Sequence, residues 1–172
     1  MAETQQAKEY PWQGREFEHE ILAETDEGLR KKGTFLAPDY VQEFTVYSDE
    51  GPRLGGGASA PTPIGYFLQG AAFCTLTQLT RYGEMMKIAV DNAKVTVRAR
   101  FRTEGSVLKE TILGDTTAFE VKIEIESTDP PERVAALIRN AEAGCFLMQA
   151  IRNPTDVQSA HKLNGEPLSI EP

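Results

Sequence analysis

The chain's two cysteines, Cys74 and Cys145, are the residues whose side chains could do redox chemistry. One thiolate could act as a nucleophile, and the second thiol could then resolve the product as a disulfide. This chemistry needs the two sulfurs to be adjacent and a cation to lower one pKa, and spacing along the chain shows neither. The structural alternative is that both are buried small hydrophobes, the commonest role of a free cysteine. On the residues alone both interpretations stay open.

The stretch 61–81 is predicted to be a helix that carries Cys74. Thr62 can cap it, and Pro63 suits its first turn, where a missing N–H costs nothing. Its apolar residues recur at helical spacing, at Ile64, Phe67, Leu68, Ala71, Ala72, Leu76 and Leu79. The small residues within 65–72 suggest that another helix or backbone approaches closely. Gly83 is the predicted C-cap.

A second predicted helix carries Cys145. It starts after Asp129, the predicted N-cap, with prolines in its first turn. Its apolar side chains again follow helical spacing, at Val134, Leu137, Ile138, Ala141, Cys145 and Met148. The second cysteine is therefore also expected to face the interior.

Antiparallel strands are predicted around the helices. Alternating residues within 17–47 and the turn sequence at 26–28 predict a meander of about three strands. The basic face of 94–102 looks at first like a nucleic-acid surface. Pairing with 119–126 would instead set arginines opposite glutamates on the solvent side, which favours a structural role. One more strand is predicted near 155–161.

The composition restricts the classes of protein. The formal net charge of −8 argues against a nucleic-acid partner. No apolar run reaches membrane-spanning length and the N-terminus lacks a signal-peptide core, so we expect a cytoplasmic protein without a membrane partner. Two histidines and no close cysteine pair favour neither a metal site nor a cofactor. The glycines at 55–57 lack the Lys-Ser/Thr ending of a phosphate-binding loop.

Two motifs resemble the OsmC/Ohr family, the osmotically inducible and organic hydroperoxide resistance proteins. They read GGGASAPTPIGYFLQGAAFC at 55–74 and LIRNAEAGCFLMQAI at 137–151. The resemblance implies an α+β fold, with an antiparallel sheet and two central helices, in an intertwined homodimer. Residues 1–14 would be a polar tail, and 15–172 a single OsmC-like domain.

The resemblance also implies a function, the thiol-dependent reduction of organic hydroperoxides. The residue matching Cys74 is the peroxidatic thiolate, and the one matching Cys145 closes the disulfide that an external dithiol reduces. An arginine from the early hairpin would keep the thiolate charged. Arg30 is the best match, Lys31 replaces it if the alignment shifts by one residue, and Arg53 is the weaker option.

The chain departs from the family's peroxidase pattern at two positions. Ile64 stands where those members carry a glutamate that pairs with the arginine, so Arg30 is expected to lack its orienting partner. Phe146 stands where a proline often follows the second cysteine. The alternative function is therefore a non-catalytic OsmC-like dimer that binds a small apolar ligand at its interface pocket, with both cysteines in the pocket wall.

Overall fold

The computed structural model describes residues 18–35, 43–153 and 155–170. The described residues up to Pro63 form one compact unit, and those from Ile64 onward form a second. The predicted tail at 1–14 lies outside the described residues, and the single domain at 15–172 stays a prediction. Together the elements make an α+β fold built on antiparallel sheets, as expected.

The first unit contains a three-stranded antiparallel sheet. Its strands are β1 (Ile21–Thr25), β2 (Lys31–Phe35) and β3 (Phe44–Ser48), paired in chain order. Gly28 takes a φ of 57° in the turn between β1 and β2, a conformation that glycine adopts without steric cost. The predicted meander is confirmed in the described residues.

The glycine-rich loop after β3 is held together by Asp49. Its carboxylate accepts hydrogen bonds from the backbone N–H groups of Glu50, Gly57 and Ser59 and from the Ser59 hydroxyl. The Ser59 N–H contributes most to lowering the pKa of Asp49. Three backbone N–H groups of this loop therefore already donate to a carboxylate of the chain and are not available to a phosphate.

The second unit has three helices and a long hairpin. The helices are α1 (Pro63–Met86), α2 (Pro131–Gly144) and α3 (Phe146–Arg152). The hairpin strands are β4 (Asn92–Glu104) and β5 (Leu113–Glu126), and a small terminal hairpin is formed by β6 (Lys162–Leu163) and β7 (Glu166–Pro167). The inner side chains of β4 and β5 pack with α1 and α2 on a core that includes Leu79 and Leu137.

The outer face of β4 and β5 carries the predicted charge pairs. In the register Arg98 lies opposite Glu120, and Arg102 opposite Asp115 at 3.2 Å. These side chains are exposed, so each pair contributes little to stability. The predicted pairing of opposite charges on this face is confirmed.

The buried face of α1 is only partly the predicted one. Ala71 and Leu79 are fully buried as expected, whereas Ile64 and Phe67 are 48% and 43% exposed. Thr75 is fully buried in a position that an apolar pattern does not reveal. The face that packs inward is therefore rotated toward Thr75 in the second half of the helix.

The end of α1 differs from the prediction. Gly83 lies inside the helix, and a Cβ there would come within 3.0 Å of Val90. The helix ends at Met86, Lys87 takes a φ of 52°, and the Ile88 N–H closes the turn on the Gly83 carbonyl at 2.9 Å. Glycine is needed at this position because Val90, in the segment after the helix, packs against it. The prediction of a C-cap at Gly83 is wrong.

Asp129 does not cap α2. The N-cap position is Pro130, which makes no side-chain capping bond, while Asp129 accepts the Ala89 N–H at 2.7 Å and pairs with Arg133. Arg133 in turn donates to the Met86 carbonyl at 2.8 Å. The Asp129–Arg133 pair thus joins the start of α2 to the end of α1, and the predicted capping role is wrong.

The C-terminal strand lies later than predicted. Residues 155–160 have no regular structure, and the strands β6 and β7 follow at 162–167. Asn164 and Gly165 form their turn with φ values of 54° and 88°. An Asn-Gly pair strongly favours a hairpin turn, so the sequence could have predicted this hairpin.

We expect Asp129→Ala to lower the free energy of unfolding by about 1–3 kcal/mol, because the Ala89 N–H loses its acceptor and Arg133 its partner. Urea denaturation measures the change. Asp91→Ala, at an exposed carboxylate of the same junction, is the matched control and should stay within about 0.5 kcal/mol of the parent chain. Equal stabilities for the two variants would contradict this function of Asp129.

Candidate active site

Cys74 lies in the middle of α1 and is half-buried. It packs against a small buried cluster of Ala71, Cys145 and Met148. Side chains from both long strands pack against the same cluster, namely Val97, Phe119 and Val121. The two helical segments and the hairpin therefore bring the cysteines together in one apolar site.

Cys145 occupies a break between two helices. The prediction of one continuous helix through this position is wrong. α2 ends at Gly144, α3 starts at Phe146, and the bend between the two helices is 69°. Cys145 is extended, with φ −80° and ψ 109°, and fully buried. A side chain at Gly144 would collide with the Tyr82 ring, so the glycine lets the break pack closely on α1.

The small residues of α1 make room for this break within one chain. Ala71 is buried in the cysteine cluster, and a Cβ at Gly70 would lie 3.2 Å from a methyl group of Leu147. The predicted close approach of a second helix is thus made by α3 of the same chain. The intertwined homodimer stays a prediction, without support from these small residues.

Burial and the neighbouring groups set the pKa of Cys74, and their net effect raises it. Burial raises the pKa most, because it disfavours the charged thiolate. The Leu147 N–H at the start of α3 lowers it, whereas the hydrogen bond with the Cys145 thiol raises it. In these surroundings Cys74 is mainly a neutral thiol near pH 7, so reactivity requires a further favourable charge.

Thr75 is a residue of the site that the sequence analysis missed. Its Oγ1 lies 2.9 Å from the Ala71 carbonyl oxygen and 3.5 Å from Cys145 Sγ, and it is fully buried. Its position four residues after Ala71 places it on the inner face of α1. The polar residue within that face was the signal that could have identified it.

Arg30 is oriented by two groups of its own unit. Its Nε lies 3.3 Å from Asp26 Oδ2, and its guanidinium stacks 4.2 Å from the centre of the Tyr47 ring. Asp26 is thus an ion-pair partner of Arg30 that the sequence analysis did not predict. Arg30 and Cys74 belong to different units of the chain. Action of the Arg30 guanidinium on the Cys74 thiol therefore stays a prediction.

The two alternative cations have different surroundings. The Lys31 Nζ donates to the Arg30 carbonyl at 3.2 Å and to the Gly28 carbonyl at 3.4 Å, which ties it to the hairpin turn. Arg53 is exposed on the 3-10 helix Pro52–Leu54. Among these candidates, Arg30 is held by a carboxylate and an aromatic ring.

The sequence places the chain among known proteins. Residues 55–160, more than half of its length, match the family described as OsmC-like protein. The chain belongs to the OsmC-like family. No curated protein sequence matches it.

Solved structures show the same OsmC-like fold. An OsmC-like hydroperoxide resistance protein from Jannaschia sp. is 24% identical, with a TM-score of 0.58, over 86% of this chain and 95% of its own. An OsmC-like protein from Mycoplasma pneumoniae is 16% identical, with a TM-score of 0.63, over 81% and 91%. An organic hydroperoxide resistance protein from Elizabethkingia anophelis is 20% identical, with a TM-score of 0.54, over 81% and 91%.

The described residues of this OsmC-like chain contain no group of three or more His, Cys, Asp or Glu side chains arranged to hold a metal ion. Within the same residues, no single helix is long and apolar enough to cross a membrane. α2 and α3 reach the length and apolar composition of a membrane-spanning helix only when they are counted together across the bend between them.

In the OsmC-like chain, Cys145→Ala should lower the pKa of Cys74, because the neighbouring thiol that raises it is removed while the Leu147 N–H remains. The rate of Cys74 alkylation as a function of pH should therefore rise at lower pH in the variant than in the parent chain. Met148→Leu, a volume-conserving change in the same cluster, serves as the control for packing. An unchanged or upward-shifted profile in Cys145→Ala would refute this influence.

Proposed function

We propose that the chain is a thiol-dependent reductase of organic hydroperoxides that uses Cys74 and Cys145. The observation that supports this is the contact of the two thiols in one buried cluster, with Cys74 the more accessible sulfur. Membership of the OsmC-like family and similarity to proteins named for hydroperoxide resistance support the same reaction class.

In the proposed cycle the Cys74 thiolate attacks the terminal peroxide oxygen. The O–O bond breaks, an alcohol leaves after protonation, and Cys74 becomes a sulfenic acid. The Cys145 sulfur then attacks Cys74 Sγ, which releases water and forms the disulfide. An external dithiol returns both cysteines to thiols and is itself oxidised to a disulfide. No metal or cofactor is required by these steps.

The proposal needs a cation to overcome the raised pKa of Cys74. A positive charge within a few ångströms favours the thiolate. Arg30 is the proposed source, because Asp26 and Tyr47 already hold its guanidinium in place. In this proposal Asp26 replaces the carboxylate that Ile64 lacks as the ion-pair partner of Arg30.

A homodimer is also part of the proposal, with support from exposed apolar side chains. On α1, Phe73 is 58% exposed and Met85 is 75% exposed. Burying exposed apolar side chains such as these against a second chain would remove them from water. Light scattering that gives the mass of one chain at micromolar concentration would contradict the dimer.

The non-catalytic alternative is favoured by one observation, the raised pKa of Cys74 in its apolar surroundings. In that case both cysteines are wall residues of a pocket that binds a small apolar ligand. Slow alkylation of Cys74 at neutral pH, together with no consumption of hydroperoxide, would support this alternative.

Cys74→Ser is expected to abolish consumption of an organic hydroperoxide such as cumene hydroperoxide, because it removes the attacking sulfur. Cys145→Ser should allow one turnover and then leave a sulfenic acid on Cys74, detected with a dimedone-type probe and mass spectrometry. Consumption is measured with dihydrolipoamide as reductant. Full turnover in Cys74→Ser, or unmodified Cys74 in Cys145→Ser after exposure to the hydroperoxide, would contradict the proposed cycle.

Arg30→Ala should slow the reaction of Cys74 with hydroperoxide by about tenfold or more, since each pKa unit changes the thiolate fraction about tenfold. Arg53→Ala is the matched control, an exposed arginine of the same unit, and should react at the parent rate. Stopped-flow kinetics of sulfenic acid formation measure both. If Arg53→Ala is slow and Arg30→Ala is not, the assignment of the cation is wrong.

A further inference from the structure

We propose that Thr75 is a catalytic residue of the reducing half of the cycle, where its hydroxyl stabilises Cys145 as the leaving thiolate. The inference rests on the proposed function, which it extends to the order of events at the disulfide. Its basis is the 3.5 Å contact between Thr75 Oγ1 and Cys145 Sγ inside the buried cluster.

The burial of the two cysteines decides which sulfur a reductant reaches. Cys145 is fully buried, whereas Cys74 is half-buried. Attack on a disulfide needs a nearly linear approach to one sulfur along the S–S bond, which requires access to that sulfur. The external dithiol therefore attacks Cys74, and Cys145 is the sulfur that leaves.

The thiol–disulfide exchange conserves electrons and protons. A thiolate of the dithiol forms a bond to Cys74 Sγ, the Cys74–Cys145 bond breaks, and its electron pair goes to Cys145 Sγ. The second thiol of the reductant, once deprotonated, displaces Cys74 from the mixed disulfide and forms the reductant's own disulfide. Two electrons pass to the protein, and the two protons lost by the dithiol are available to the two cysteines.

The leaving step creates a negative charge in an apolar site. The cluster around Cys145 is formed by apolar side chains such as Ala71 and Met148, where an unpartnered anion is costly. The rate of thiol–disulfide exchange rises as the pKa of the leaving thiol falls. A hydrogen-bond donor placed at Cys145 Sγ therefore accelerates this step.

The Thr75 hydroxyl is able to serve both protonation states of Cys145. Its one hydrogen can be donated either to the Ala71 carbonyl at 2.9 Å or to Cys145 Sγ at 3.5 Å, and its two lone pairs can accept the Cys145 S–H. Rotation of the hydroxyl directs its hydrogen to the thiolate once Cys145 leaves. The Ala71 carbonyl then keeps its backbone hydrogen bond within α1, so no acceptor is left unpaired.

The test separates the reducing step from the reaction with peroxide. The disulfide is first formed with diamide, which removes any dependence on hydroperoxide, and the oxidised protein is then reduced by dithiothreitol under pseudo-first-order conditions. Thr75→Val should be reduced about tenfold more slowly, as expected for the loss of one charge-assisted hydrogen bond. Thr75→Ser, which retains the hydroxyl, should restore the rate to within about twofold of the parent.

Two further variants serve as a control and as a substitute. Thr77→Val, at an exposed threonine of the same helix, should be reduced at the parent rate. Thr75→Ala provides a second hydroxyl-free variant if Thr75→Val does not fold, as judged by circular dichroism. Parental reduction rates in the folded hydroxyl-free variant, or slow reduction in Thr75→Ser, would overturn the proposal.

The direction of attack is tested with a monothiol, which cannot complete the second displacement. Mass spectrometry after acid quench should find the monothiol on Cys74. A mixed disulfide on Cys145, or no disulfide between the cysteines after diamide treatment, would overturn the proposal. Its failure is distinguishable from that of the proposed function, because hydroperoxide consumption by the parent chain is measured independently.

Discussion

The candidate site depends on the close packing of the α2–α3 break against α1 at Ala71. A larger side chain at this position would push Cys145 away from the helix that carries Cys74, since protein interiors leave no spare volume. Gly70 accommodates Leu147, and Gly144 accommodates the Tyr82 ring, so the same requirement for small residues extends along the contact. The Asp129–Arg133 pair, which links the start of α2 to the end of α1, fixes the two helices from the other end.

This packing creates a conflict between geometry and reactivity. Burial brings the two thiols together, and the same burial raises the pKa of Cys74. The Leu147 N–H offsets only part of this effect, because the net direction is upward. The proposed peroxidase reaction therefore requires positive charge beyond what the cysteine cluster provides, and Arg30 is the proposed source.

The sequence predicted those features that repeat along an element. Alternation along β4 and β5 predicted their pairing and placed Arg98 opposite Glu120, and helical spacing predicted that Cys145 faces the interior. It could not predict the break at Cys145, because the apolar spacing continues across it to Met148. The roles of Gly83 and Asp129 depend on Val90 and Ala89, contacts set by tertiary structure rather than by local sequence. Thr75 was missed because the predicted face counted apolar residues alone, although its position four residues after Ala71 places it on that face.

The unequal burial of the two cysteines gives them different roles in the proposed cycle. In the proposed cycle the half-buried Cys74 reacts with both the oxidant and the reductant, whereas Cys145 is fully buried. A buried resolving thiol is protected from direct oxidation, yet it must leave as an anion each time the disulfide is reduced. Its surroundings therefore have to keep it buried and still provide one hydrogen-bond donor. In the proposal Ala71 and Met148 bury Cys145, and the Thr75 hydroxyl is the donor.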